Sequence, residues 1–316
     1  MKTLEIKETV TKSVILMKND YELLDFGNGR RLERFGSYIL DRPCPAAEHI
    51  CSEKPVLWKQ SDSRFVISSQ NSERGYWTTE LKPWSVSFEG INKIIKGTIN
   101  MELSCTPFGH IGVFPEQQIN WQRIAFALAE VSKQRTETIH VLNLFSYTGG
   151  SSFAAALAAP NISVVHVDSA QSVTDWAKRN ARLNGLNSIR FIVEDVRKFV
   201  HRELRRKHCY DAVILDPPSY GHGLKGETWK LAEHLPALLS DITGLLSNNQ
   251  CFILLTAHTS GFDSSAMQAM MNNAGMSQEW SWEKFVMEIP ATTGKYLESG
   301  YGIFGVSPSP QNNKIG

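Results

Sequence analysis

From about residue 115 onward the chain alternates between two hydrophobic rhythms. Ile139–Leu144, Ser163–Asp168, Ile189–Val193, Ala212–Leu215 and Cys251–Thr256 are short, nearly continuous apolar runs. Runs of that length and composition read as strands buried on both faces. Between them, apolar residues recur at helical spacing. The spacing predicts helices over 151–159, 171–183, 196–206, 231–246 (kinked at Pro236) and 264–273. A further helix is expected from Pro115 to Lys133, with Trp121, Ile124, Leu128 and Val131 on one face and proline in its first turn. Strand–helix alternation of this kind implies an α/β fold with a doubly wound, mostly parallel, Rossmann-like sheet. Trp282–Ile289 and Tyr301–Val306 add two strands at one edge, making seven.

The front of the chain has a different pattern. Residues 12–105 carry short apolar segments separated by turn signals, as in β-rich domains. Tyr21–Asp25 and Arg30–Phe35 flank Gly27-Asn28-Gly29 and read as a hairpin, with glycine supplying positive φ. The expected division is therefore a β-rich domain over 1–105, for substrate recognition, and an α/β domain over 106–316. Trp58, Trp77 and Trp84 fall in the front half, where packing is the more common fate of aromatic residues than base stacking. The tail from Pro308 is polar and expected to fray.

Composition narrows the class. Hydrophobic residues at 42% and charged residues at 21% fit a folded soluble chain rather than a disordered one. Lys+Arg 33 against Asp+Glu 32 leaves a net charge of +1, so any nucleic-acid contact must come from a local patch. Cys44, Cys51, Cys105, Cys209 and Cys251 are dispersed, without C-x-x-C spacing. Such usage argues against a disulfide framework or a metal site and for a reducing, cytoplasmic setting. No apolar stretch is long enough to span a membrane, and the first eight residues lack the apolar core of a signal peptide. The oligomeric state stays open, a dimer included.

The candidate chemistry lies at strand ends. Asp216-Pro217-Pro218-Ser219-Tyr220 follows the run Ala212–Leu215. Two prolines end that strand abruptly, because neither can donate to a ladder. The turn thus sits at a carboxyl edge, where open α/β sheets bind ligands. A carboxylate, a rigid turn and an aromatic face suit a planar, amine-bearing group. On its own, Asp-Pro-Pro is equally an ordinary loop. After the first strand comes Phe145-Ser146-Tyr147-Thr148-Gly149-Gly150, in which glycine permits close backbone approach. The next helix would offer unpaired N–H groups to a carboxylate. The loop is neither the dinucleotide fingerprint nor a Walker cradle. Asp168-Ser169 ends the second strand, where an acid commonly meets ribose hydroxyls, and Glu194-Asp195 ends the third, where a carboxylate can meet an adenine amine. Each acid could instead cap its helix. One acid at each of three successive strand ends, around one glycine loop, is more specific than any of them alone.

These segments, with Asn180–Asn184, resemble the class I S-adenosylmethionine-dependent methyltransferases. The Asn-x-Phe-Ser-Tyr-Thr-Gly-Gly and Asp-Pro-Pro-x-Tyr motifs are most similar to those of the bacterial large-subunit ribosomal RNA methyltransferases of types I and K. The likeness covers about 108–275 and includes Thr106–Gln117; the front half matches weakly, without a clear PUA module. The resemblance implies S-adenosyl-L-methionine as cofactor and RNA as partner. It implies that Phe145, Ser146, Tyr147, Thr148 and Gly149 follow the methionine end, that Asp168 and Ser169 serve the ribose, and that Asp195 and Val196 hold the adenine. Gln117 would cover the cofactor. Asp216, Pro217, Pro218 and Tyr220 would form the catalytic turn, with Asp216 beside both sulfonium and acceptor.

Relatives that methylate cytosine C5 carry a cysteine just after the fifth strand, where a thiolate adds to C6. Here that stretch is Leu255-Thr256-Ala257-His258-Thr259-Ser260, so an exocyclic amine is the favoured target. His258 could serve as a base or hold a structural hydrogen bond. The basic runs Arg30, Arg31, Arg34 and Arg202, Arg205, Arg206, Lys207, His208 could meet phosphates or simply be solvated. A protein or small-molecule acceptor, a non-catalytic binding module and, more remotely, a dehydrogenase are the competing readings.

Overall fold

The computed structural model describes residues 20–69, 74–89, 97–222, 226–259, 261–276 and 280–307. The expected strands form one seven-stranded sheet. They are β8 (Ile139–Leu144), β9 (Ile162–Asp168), β10 (Ile189–Val193), β11 (Ala212–Leu215), β14 (Phe252–Ala257), β15 (Ser281–Pro290) and β16 (Tyr296–Val306). Their order is β10-β9-β8-β11-β14-β16-β15, with the first five parallel and β16 antiparallel to both neighbours. The order reverses between β8 and β11, which opens a crevice at their carboxyl ends.

The helices are α1 (Gln118–Ser132), α2 (Gly150–Ala156), α3 (Gln171–Leu183), α4 (Val196–Arg206), α5 (Leu231–Thr243) and α6 (Ser264–Asn273). They cover the sheet, so that Val141, Ile214 and Leu254 pack into one cluster and Leu142, Val213 and Ile253 into another. The sequence pattern overextends two of them: α2 stops at Ala156, and α5 runs through Pro236 and ends before Gly244. Pro115 opens a 3-10 turn, Pro115–Gln117, rather than the helix itself. An unexpected hairpin, β12 (Tyr220–His222) with β13 (Thr228–Lys230), follows the Asp-Pro-Pro turn. Three-residue strands are too short to show an alternation.

In the front half, β1 (Tyr21–Gly27), β2 (Arg30–Phe35), β3 (Tyr38–Pro43), β4 (Ser63–Ile67) and β5 (Gly75–Trp77) form a sheet in chain order. A separate hairpin, β6 (Trp84–Phe88) with β7 (Ile99–Leu103), lies on the α/β unit. Trp176, Asn180 and Asn184 recur every fourth residue and so share one face of α3. The Trp176 indole donates to the Glu102 carbonyl at 2.9 Å, while Glu102 and Asn100 N–H groups donate to Asn180 and Asn184, each at 2.8 Å. Side chains of α3 thus take the place of a neighbouring strand. At the other end, the Thr292 N–H donates to the Leu23 carbonyl, and Leu23 and Phe26 share a cluster with Ile289 and Leu297. Trp58, Trp77 and Trp84 are half-buried, each donating its indole N–H inward, to Asp25, Thr106 and Phe35.

Candidate active site

The loop after β8 is held in a conformation few residues adopt. Phe145 and Tyr147 have φ of +56° and +49°, and Gly149 has φ of +107°. Non-glycine residues in the left-handed region cost about 1 kcal/mol or more each and need surroundings that enforce them. Those surroundings are present. The Ser146 N–H donates to the Val167 carbonyl at 3.1 Å and its hydroxyl to Asn143 at 2.7 Å. The Thr148 hydroxyl donates to the Gly112 carbonyl at 2.6 Å, and Asn180 donates to the Thr148 carbonyl at 3.1 Å. A Cβ on Gly149 would meet the Phe153 ring at 2.3 Å.

This loop walls a cleft lined by Met101, Phe114, Gln117, Trp121, Asn143, residues 145–151 and Asp216. Six residues assigned to ligand binding from sequence, Gln117, Phe145, Ser146, Tyr147, Thr148 and Gly149, therefore converge with Asp216 on one space. Asp168 flanks it from the end of β9. Its carboxylate accepts the N–H groups of Tyr147 at 3.0 Å and Ala170 at 2.9 Å, while burial holds its pKa above the usual range. Ser169 follows on the same rim, half-buried.

The remaining expected positions are not part of this lining. Asp195 caps α4, accepting the Lys198 N–H at 3.2 Å, and pairs with Arg197 at 3.2 Å. Val196 packs in the core against Phe199 and Val200. Tyr220 starts β12, is 47% exposed and does not line the cleft. The Pro218 carbonyl accepts the Trp229 indole N–H at 2.7 Å, while the Pro217 ring is buried beneath the turn.

Around Asp216, Gln117 and His258, both named from sequence, come together with Glu116, Asn120, Thr256 and Ser299, which were not. Its carboxylate accepts the Thr256 hydroxyl at 2.6 Å and the Gln117 amide at 3.0 Å. Gln117 is oriented in turn by Asn120, which donates to it at 2.7 Å. The His258 Nε2 lies 3.5 Å from Asp216, and its Nδ1 lies 2.6 Å from the Ser299 carbonyl and 4.0 Å from Glu116. Only an imidazolium can donate from both nitrogens. Burial alone would lower the His258 pKa, yet Asp216, then Glu116 and the Ser299 carbonyl, raise it to about 9. His258 therefore stands beside the cleft as a cation and not as a free base. Thr256 was detectable as a lone polar residue in an apolar strand; Glu116 and Asn120 gave no comparable signal.

No thiol joins this group. Cys251 lies at the amino end of β14, where burial pushes its pKa up to about 12. Among the described residues no acid, histidine and cysteine cluster could hold a metal, and no helix is long and apolar enough to cross a membrane. The basic runs are largely neutralised. Arg30, Arg31 and Arg34 pair with Asp41, Glu33 and Glu22, and Arg202, Arg206 and His208 pair with Glu203, Arg202 also with Glu194.

A parallel sheet with a glycine loop and an acid at its switch point defines a nucleotide-cofactor enzyme of the doubly wound class. The comparisons identify which one. Residues 124–253 match the family model described as S-adenosylmethionine-dependent methyltransferase. A SAM-dependent methyltransferase from Agrobacterium tumefaciens superposes with a TM-score of 0.81 at 30% identity, over 92% of this chain and 91% of that one. The ribosomal RNA large subunit methyltransferase K/L of Shewanella pealeana is 37% identical over 122 residues, 38% of this chain and 16% of that protein. The ribosomal RNA large subunit methyltransferase I of Aeromonas salmonicida is 36% identical over 115 residues, 35% of this chain and 27% of that protein. The chain thus matches well under a third of the length of these curated relatives. It belongs to the S-adenosylmethionine-dependent methyltransferases and is an enzyme that uses that cofactor.

Proposed function

We propose that this methyltransferase modifies a base of ribosomal RNA, at an exocyclic amine rather than at cytosine C5. The observation that carries the reading is the pairing of Asp216 with a cleft that holds no cysteine. The cofactor supplies a sulfonium methyl for in-line displacement; the chain's own residues bind, orient and exclude water. Gln117, Thr256 and His258 hold the Asp216 carboxylate, so it can accept an N–H from the acceptor and aim the nitrogen lone pair. Because the Pro218 carbonyl already serves Trp229, the Pro217 carbonyl is the better partner for the second amine hydrogen. Asp168 and Ser169 would serve the ribose, and the 145–149 loop the methionine end. Asp195 and Val196 would offer the adenine the backbone at the start of α4, since Asp195's carboxylate is engaged and Val196 is buried. Tyr220 would contact the acceptor from the cleft's outer side.

RNA is favoured by the likeness to ribosomal RNA large subunit methyltransferases. A base in structured RNA would have to be unstacked to reach the cleft. The front domain, 1–105, would recognise the RNA outside the reacting base. The test is two-part. Calorimetry should show donor binding that Asp168→Ala abolishes. Nucleoside mass spectrometry of ribosomal RNA from a deletion strain should lack one N-methylated nucleoside, and a complete set of methyl groups would defeat the RNA reading.

A further inference from the structure

A row of rings connects the outer surface of the front sheet to the cleft. Strand β5 is an edge strand, with Tyr76 opposite Val66 and Trp77 opposite Phe65. Side chains alternate across a strand, so Trp77 packs inward on Phe65, 5.3 Å away, and Tyr76 faces out, 60% exposed. Arg74, two residues before Tyr76, shares that outer face; its backbone carbonyl accepts the Ser68 N–H, keeping it in register. The loop 106–110 is stitched alongside, because the Gly75 N–H donates to the Pro107 carbonyl at 2.8 Å. That stitch sets Phe108, 51% exposed, under the Arg74 guanidinium at 5.4 Å.

Two residues further on, the His110 ring lies 5.3 Å from Phe114 and 6.5 Å from Tyr147. Phe114 in turn is 5.2 Å from Tyr147 and 6.2 Å from His258. Phe114 and Tyr147 line the cleft, and His258 touches Asp216. Exposed aromatic rings joined to a cleft and flanked by an arginine whose guanidinium lies over one of those rings match one kind of occupant. Bases stack on rings regardless of sequence, and phosphates take up the cation. An apolar peptide would instead have to desolvate the Arg74 charge at the centre of the patch.

We propose that Tyr76, Arg74, Phe108, His110 and Phe114 form a path for single-stranded RNA, seating the nucleotides that flank the reacting base. The path rests on the RNA reading above and adds where that RNA runs. It assigns a function to the edge strand of the front sheet and to the 106–110 loop, neither of which lines the cleft.

The experiment is fluorescence anisotropy of the full chain with a fluorescein-labelled, unstructured single-stranded RNA across a range of salt concentrations. Phe108→Ala should weaken binding about tenfold and Tyr76→Ala about fivefold, while Phe108→Trp retains it. Arg74→Ala should weaken binding and reduce the salt slope by about one. Calorimetric affinity for S-adenosylmethionine should be unchanged in every variant, which shows that the cleft is intact. Variants that bind RNA as the parent does, with donor binding intact, would overturn the path and leave the RNA reading standing. A parent chain that binds the donor but no RNA would overturn both.

Discussion

Strand β11 carries an aspartate at each end, and the two show how one residue type is used for structure and for chemistry. Asp211, before the strand, is 6% exposed. Its carboxylate accepts the His140 N–H at 2.8 Å and the Ser247 hydroxyl at 2.6 Å and pairs with Arg135 at 3.2 Å. Its backbone bonds to His140 and Cys251, so it ties three strands together at the closed end of the sheet. Asp216, after the strand, has partners that are all side chains, drawn from the turn before α1, from β14 and from the loop beyond it. It keeps 29% of its side chain open to the cleft. Charge at Asp211 is fixed by a cation and by backbone; charge at Asp216 is fixed by groups that leave one direction free for a ligand.

The largest expected difference is between Asp216→Asn and Asp211→Ala. Asp216→Asn keeps the shape and removes the charge; methyl transfer should fall about a hundredfold or more, with a smaller loss of stability than in Asp211→Ala. Asp211→Ala leaves Arg135 without its partner and should cost about 3 kcal/mol in urea unfolding, with the residual folded enzyme fully active. Equal loss of activity per folded molecule in both variants would erase the distinction.

His258 sharpens the same contrast through pH. Its folded pKa, about 9, lies above the unfolded value. Its contribution to stability is thus complete below about pH 6.5 and disappears as pH rises through about 9. A third of its side chain is exposed, so solvent screens the effect. An imidazole NMR titration should place His258 near 9 in the parent and move it clearly down in Asp216→Asn, less so in Glu116→Gln. A midpoint near 6.5 in the parent would show that no imidazolium bridges the two acids.

Thr256→Val is a smaller step. It removes one hydroxyl from Asp216 and leaves the strand's packing volume, so about 1 kcal/mol of stability and about fivefold in rate are expected. Steady-state kinetics should place that loss in kcat rather than in donor affinity. A change in donor affinity alone would move Thr256 from the acceptor side of the cleft to the cofactor side.

What could be read from the chain follows the same division between strand ends and strand interiors. Strands β8 to β11 and β14 were legible because burial on both faces demands unbroken apolar runs, and the 145–149 loop and Asp216 because they interrupt those runs with residues no strand needs. The network around Asp216 was not legible. Glu116, Gln117, Thr256, His258 and Ser299 meet only after the chain has folded, and the charge on His258 depends on two acids far from it in sequence. Arg30, Arg31 and Arg34 were left open between phosphate contact and solvation, for the reverse reason. The run itself shows Glu33, which answers Arg31 on the same strand, but not Asp41 and Glu22, which answer Arg30 and Arg34 from the two neighbouring strands. Asp195 has the spacing of a ligand-binding acid; its cap on Lys198 and its pairing with Arg197 were not legible from that spacing.

The smallest expected effect concerns Cys251, at the same closed end as Asp211. Its N–H donates to the Asp211 carbonyl at 2.6 Å, and its thiol, raised to about 12 chiefly by burial, is essentially never a thiolate at neutral pH. Cys251→Ala should cost about 1 kcal/mol through lost packing and leave turnover within about twofold. The measurement is activity per folded molecule, with trapping of a covalent enzyme–RNA adduct by a 5-fluoropyrimidine substrate as the second readout. No adduct should form in the parent, because a C5 mechanism needs a thiol at the carboxyl end of the sheet and the only cysteine on β14's flanks lies at the other. A trapped adduct that Cys251→Ala abolishes would place chemistry at the end of β11 where Asp211, not Asp216, stands.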